Sequence, residues 1–251
     1  MAAFRAISLL HWKNTLSALS ALIPGSCALC HETCQQAVCP ACHVRYFHRQ
    51  PSRCRQCALP LPPGAESPRC GDCLRNPPAF DMAVAVCDYA APQDQLLLAL
   101  KFGHQLALAP WFASMLTESI LRQTSFELPQ LLCAVPLGAQ RLSERGFNQA
   151  IEIARPLSQQ LGVPLTTQLF HRSRETAMQS SLPTDARARN VKNAFSMDEN
   201  QIDAIRGQHV GVVDDVMTTG MTMHEIATML KRFGAATVST YVFARTLPHI
   251  N

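Results

Sequence analysis

Aromatic side chains are scarce in this chain, at 6% of 251 residues, although 47% of it is hydrophobic. Its core must therefore be built mainly from Ala, Val, Ile and Leu, which suits layered strands and helices. The length allows one sizeable core with a small module to spare. Also missing is any apolar run of the ~20 uninterrupted residues that a membrane-spanning helix requires. The nearest approach, MAAFRAISLLHWKNTLSALSALI at residues 1–23, is interrupted by His11, Trp12, Lys13 and Asn14. Residues 1–25 read as a short amphipathic helix or loose leader on a soluble, cytoplasmic protein, and a poor export signal. Strong net charge is absent too: the formal value is +4. Its distribution is uneven, however. Lys and Arg outnumber Asp and Glu 8 to 3 over residues 1–75 and 8 to 4 over residues 141–192, and the remaining stretches are net acidic. Two separated basic regions suggest two surfaces able to meet phosphates, although ordinary surface solvation accounts for part of the excess.

Cysteine, by contrast, is plentiful and ordered. Eight of the eleven form four C-x-x-C knuckles: Cys27/Cys30, Cys39/Cys42, Cys54/Cys57 and Cys70/Cys73. Two intervening residues let both sulfurs turn to one point, as each half of a tetrahedral zinc site requires. Eight thiolates make two structural sites. A disulfide framework would need export, for which the N-terminus is unsuited. Pairing first with second and third with fourth closes the shorter loops, with interleaved pairing the alternative; Cys34, His31, His43 and His48 lie close enough to substitute as ligands. Cys87 and Cys133 sit in apolar, strand-like runs and read as core thiols. Between the knuckles, Arg45, Tyr46, Phe47, His48, Arg49, Arg53 and Arg55 mix cations with rings, a composition suited to a single-stranded nucleic-acid backbone or to docking on a protein.

After the proline-rich RNPPAFD the composition changes, placing a ribbon module at 26–76 and a second domain at 77–251. Apolar strands are expected at 82–90, 131–137, 164–170, 209–214 and 236–245, with helices at 93–102, 106–123, about 148–162 and 222–234. This alternation predicts an α/β fold, a mainly parallel sheet flanked by helices, with ligands beyond the carboxyl ends of the strands. At one such end stands GVVDDVMTTGMTM, residues 211–223. Neighbouring side chains of a strand face opposite ways, so Asp214 and Asp215 are expected to cooperate only after the strand has ended and turned. Backbone N–H groups, the hydroxyls of Thr218, Thr219 and Thr222, and Gly220 would then form a cup for a dianion at a helix N-terminus. Carboxylates accept hydrogen bonds from sugar hydroxyls, so the combination asks for a ribose 5-phosphate.

VVDDVMTTGMT resembles the phosphoribosyl pyrophosphate motif of type I phosphoribosyltransferases. The rest of the chain from Cys27 onward is similar to ComF/GntX-like proteins of natural competence and DNA utilisation, through CGDCLRNPPAFD, LALKF, VPLGAQRLSERGFNQA and RNVKNAF. The resemblance implies a double zinc ribbon ahead of a phosphoribosyltransferase-like domain. It implies that phosphoribosyl pyrophosphate is held along Asp214, Asp215, Val216, Met217, Thr218, Thr219, Gly220, Met221 and Thr222. Asp214 and Asp215 would serve the ribose hydroxyls and any catalysis; Arg141 and Arg145 would meet the pyrophosphate, unless they pair with Glu144 or Glu152 instead. Magnesium is implied by the charge balance. In HRSRETAMQSSLPTDARARNVKN, residues 171–193, Gln179, Arg187 and Asn190 follow the family pattern while Ser181 departs from it. Arg45, Tyr46, Arg49, Arg187 and Arg189 are candidate nucleic-acid contacts. No base-recognition loop is legible, so three functions stay open: a phosphoribosyl pyrophosphate and single-stranded DNA binder in DNA uptake, an active transferase with an unknown acceptor, and a scaffold recruiting a helicase or other DNA-processing protein.

Overall fold

The computed structural model describes residues 25–48, 50–123, 127–173 and 194–248. The leader, Arg49, and the stretch carrying Gln179, Ser181, Arg187, Arg189 and Asn190 lie outside the described residues. The chain divides into two compact units, one up to His48 and one from Arg49 onward.

In the first unit a two-residue pair, β1 (Gly25–Ser26) against β2 (Thr33–Cys34), precedes helix α1 (Pro40–Phe47). Proline suits the first helical position, where a missing N–H costs nothing. Cys39 caps this helix, its Sγ accepting from the Cys42 N–H at 3.4 Å.

The second unit begins with the knuckles Cys54/Cys57 and Cys70/Cys73 and a short helix α2 (Gly71–Arg75). It continues through β3 (Met82–Asp88), α3 (Gln93–Phe102), α4 (Leu108–Leu121), β4 (Leu131–Ala134), α5 (Ala139–Arg145), α6 (Gln149–Leu161), β5 (Leu165–Thr166), β6 (Phe170–Arg172), β7 (Phe195–Met197), α7 (Ile202–Ile205), β8 (His209–Met217), α8 (Met221–Arg232) and β9 (Thr237–Arg245). Five strands form one sheet in the order β3-β9-β8-β4-β5, every pairing parallel. Such sheets need cover on both faces, and β3, β4 and β9 are accordingly buried along nearly their whole length. On one face Ala83, Ala85, Val210, Val212 and Val242 pack with Ile226, Ala227 and Leu230 of α8. Elsewhere Phe112 of α4 stacks on Phe243 of β9 with ring centroids 3.9 Å apart. An exposed edge at β3 is avoided because the cysteine-bearing segment lies along it: the Ala83 N–H donates to the Arg55 carbonyl at 3.1 Å, and Gln56 donates to the Phe80 carbonyl at 3.2 Å.

Two expectations require correction. Residues 164–170 are not one strand: Leu165–Thr166 pairs with β4, whereas Phe170–Arg172 leaves the sheet to form an antiparallel hairpin with β7. The register explains this, since β4 ends at Ala134 and offers β5 only Leu132 and Cys133. Likewise β8 runs through both aspartates to Met217, because β9 continues alongside it until Met217 faces Arg245. The two acids therefore belong to the strand.

Strand order also locates the site. From β4 the chain moves outward to β5, and from β8 it moves the opposite way to β9. These adjacent strands thus diverge at their carboxyl ends, the switch point where open parallel sheets leave a crevice.

Candidate functional site

At that switch point lies a cleft of about 670 Å³. Its floor carries Asp214, Asp215, Val216 and Met217 from β8; Thr218, Gly220 and Thr222 line one end, and Arg141, Arg145 and Gln149 another. Thr219 and Met221 lie beside it in the chain without lining it: the Thr219 Oγ1 accepts from the Met221 N–H at 3.4 Å, tightening the loop. Gly220 caps α8 at φ 83°, a left-handed conformation in which any side chain would be strained. The loop thus delivers its peptide groups to the positive end of a twelve-residue helix.

The acids share the cleft despite strand alternation because they reach it differently. Asp215 is buried, ion-paired with Lys101 at the end of α3 and accepting from Gln149 Nε2 at 3.3 Å. Asp214 is partly exposed, and its Oδ1 accepts from the Asp215 N–H at 2.9 Å. Burial pushes the Asp214 carboxyl well above the usual carboxylate range, and the adjacent Asp215 charge adds to this. Burial alone would raise Asp215 as well, but the Lys101 ammonium reverses the shift and holds it below the usual range, helped by hydrogen bonds from Asp214 and Gln149. The free protein therefore keeps one carboxylate neutralised by lysine and its neighbour inclined to hold a proton.

Arg145 stands at the end of α5, donates to Gln149 Oε1, and lies 5.4 Å over the ring of Phe102. Among the described residues no ion pair joins Arg141 or Arg145 to Glu144 or Glu152. Asn148 secures the loop after β4, donating from Nδ2 to the Val135 carbonyl at 3.0 Å while its Oδ1 caps α6 by accepting from Ala150 N–H at 2.9 Å. Lys101, Asn148 and Gln149 were not singled out by sequence reasoning. A lone lysine in the apolar LLLALKF and an N-Q pair at a helix start were the available signals.

The cysteines gather into two groups, Cys27/Cys30/Cys39/Cys42 and Cys54/Cys57/Cys70/Cys73, with each group's sulfurs within 4.8 Å of one another. Knuckles pair in sequence order. The Cys30–Cys39 and Cys57–Cys70 sulfurs are each 3.6 Å apart, close to the edge of about 3.8 Å that four sulfurs around one zinc would have. N–H groups of Leu29 and Cys39 point at the Cys27 sulfur, and that of Cys70 at Cys54. Although burial opposes it, these donors bring the Cys27 thiol down to about 6 and Cys54 to about 7, favouring the thiolates a metal needs. The donor sets fit zinc, and neither contains Cys34, whose Sγ donates to the Gln36 carbonyl at 2.9 Å, nor His31, His43 or His48. Cys87 and Cys133 are buried in the core as expected. Arg45 is exposed on α1, 5.4 Å over the Tyr46 ring.

A parallel sheet with this acid pair and threonine loop at its switch point, in a chain carrying two four-cysteine groups, defines the class: a type I phosphoribosyltransferase-like domain behind a zinc ribbon. Family models agree, a phosphoribosyl transferase domain matching residues 148–247 and a double zinc ribbon domain residues 18–74. The DNA utilization protein YhgH of Salmonella typhi is 38% identical over 231 residues, 90% of this chain and 99% of that protein; its Escherichia coli K12 counterpart is 37% identical over the same span. Competence protein F of Haemophilus influenzae is 32% identical over 179 residues, 70% of this chain and 78% of that one. The chain belongs to this ComF-like family of DNA utilisation and competence proteins. Among the described residues no helix is long and apolar enough to cross a membrane.

Proposed function

We propose that the cleft binds phosphoribosyl pyrophosphate with magnesium, and that the protein works in DNA utilisation with single-stranded DNA as its partner. One observation carries the reading: a single cleft gathers the carboxylates of Asp214 and Asp215, the Thr218–Thr222 loop at a helix N-terminus, and the guanidinium groups of Arg141 and Arg145. Each element matches one part of the ligand. Asp214, the more accessible acid, accepts from the ribose hydroxyls, and Asp215 joins it once Lys101 yields. The threonine hydroxyls and loop N–H groups hold the 5-phosphate. The arginine forks meet the pyrophosphate. Magnesium would offset the pyrophosphate charge beside the acids.

An acid pair that reads a 2′,3′-diol discriminates against deoxyribose, which lacks the 2′-hydroxyl. DNA is therefore assigned to the basic surfaces outside the cleft, with the exposed Arg45 beside Tyr46 as the candidate contact in the first unit. The names of the relatives support the DNA role.

The test is a titration of magnesium phosphoribosyl pyrophosphate, ribose 5-phosphate and pyrophosphate into the zinc-loaded protein, alongside a labelled single-stranded oligonucleotide at rising salt. The reading expects the intact ligand to bind more tightly than either fragment. It also expects salt-sensitive DNA binding that the ligand does not displace. Competition between DNA and the ligand would overturn the assignment of separate surfaces. Pyrophosphate release with a nucleobase or amine acceptor would extend the reading to a transferase.

A further inference from the structure

Arg245, the last residue of β9, is buried, yet among the described residues no carboxylate pairs with it. Among the described residues its hydrogen-bond acceptors are backbone carbonyls in two places distant in the chain and in the adjoining Thr246. From Nε it donates to the Cys57 carbonyl at 2.9 Å, inside the second cysteine group. From Nη1 it donates to the carbonyls of Met217 at 3.0 Å and of Thr218, where the acid strand becomes the threonine loop, and to Thr246 at 2.8 Å. One planar guanidinium thus ties a metal knuckle to the start of the cup, a span that its fixed fork of donors suits and a lysine cannot match.

Two physical consequences follow. A buried cation without a carboxylate needs a counter-charge, and zinc held by four thiolates carries a net charge of about −2. Arg53, the cation that precedes Cys54 in the chain, is already neutralised by Asp88 at 2.8 Å and makes no such demand on the thiolates. The second consequence is stereochemical. In a trans peptide the carbonyl and the following N–H point opposite ways. The Met217 carbonyl is held by the ladder as well, accepting from the Thr246 N–H at 3.0 Å, but the Thr218 carbonyl lies beyond it; drawing that carbonyl toward Arg245 turns the N–H of Thr219 away from it.

We propose that Arg245 is a positioning residue through which the second cysteine group, when it holds zinc, fixes the peptide orientation of the phosphate loop. The effect on ligand affinity rests on the ribose-phosphate reading of the cleft; the effect on loop order does not. Emptying the second zinc site loosens residues 217–222 while the rest of the sheet keeps its pairing.

The experiment is amide hydrogen exchange of the full chain with both zinc sites loaded, comparing peptides over 217–222 with peptides over α6 as reference. Wild type is measured before and after zinc is withdrawn by a chelator, and Arg245→Gln and Arg245→Lys are measured with zinc content determined on the same samples. Zinc withdrawal and Arg245→Gln should each speed exchange at 217–222 by about tenfold or more relative to α6, with Arg245→Lys between Gln and wild type. Affinity for magnesium phosphoribosyl pyrophosphate should fall in the same order. Unchanged exchange at 217–222 in zinc-loaded Arg245→Gln, or in chelator-treated wild type, would overturn the coupling. Should Arg245→Gln fail to fold, the chelator series alone decides. Coupled exchange in a wild-type protein that binds no phosphoribosyl pyrophosphate would sustain the coupling and sink the proposed ligand.

Discussion

The ammonium of Lys101 sits on the carboxylate of Asp215, so the ligand-free cleft already contains a cation at one of its two acids. Lys101 is mostly buried and Asp215 almost wholly so. Removing the lysine leaves a buried charge supported by hydrogen bonds from Gln149 and Asp214 and by the Arg145 cation across the cleft. Lys101→Met should lower unfolding free energy by about 2–3 kcal/mol, somewhat below the cost of breaking a fully buried pair. Adding Asp215→Asn should restore part of it, measured by denaturant titration.

The same pair sets a pH dependence with a definite sign. Asp215 has its carboxyl depressed in the folded state, so its contribution is present above the unfolded carboxylate range and is lost as pH falls through the folded value. Stability of wild type should therefore decline on acidification more than that of Lys101→Met, seen as a difference in denaturation midpoint that narrows below pH ~4. Parallel curves would refute the assignment of the pair.

Gly220 and Gly211 separate loop geometry from packing. At Gly220 the backbone is left-handed, yet an added Cβ would meet only ordinary contacts, the nearest being Met217 Sδ at 3.7 Å. Gly220→Ala should cost about 1 kcal/mol of stability from the backbone alone and should weaken ligand binding more noticeably than folding.

Gly211 is the opposite case. A Cβ there would lie 2.6 Å from the Tyr241 ring and 2.7 Å from Leu132 Cδ2, inside the sheet's packed layer. Gly211→Ala should destabilise by about 1–3 kcal/mol through overpacking. Whatever fraction remains folded should bind ligand as wild type does, because Gly211 does not line the cleft. Thermal unfolding and calorimetry on the same samples distinguish the two glycines.

Much of this arrangement is legible in the amino-acid sequence. C-x-x-C spacing is a local rule, and Cys27 through Cys42 and Cys54 through Cys73 obey it within each group. Apolar runs gave β3, β8 and β9 because buried parallel strands have no polar alternation to hide them, and Gly162 ends α6 at φ 66°. What escaped depends on contacts distant in the chain. The end of β8 is set by β9, whose Arg245 faces Met217, and no feature of VVDDVM announces that partner. Lys101 lies 114 residues before Asp215 and reads locally as the basic end of a helix. Arg245 reads as a charge closing an apolar strand, and only the folded chain brings Cys57 beside it.

On the reading proposed for the cleft, the carboxylates at the end of β8 and the loop after them form one working site for a ribose phosphate. Calorimetric titration of magnesium phosphoribosyl pyrophosphate into wild type and into Asp214→Asn/Asp215→Asn tests it most directly. Wild type should bind saturably and the double variant at least about tenfold more weakly, a loss of about 1.4 kcal/mol or more, with zinc content unchanged. Equal binding by both proteins, or no binding by folded, zinc-loaded wild type, would contradict it.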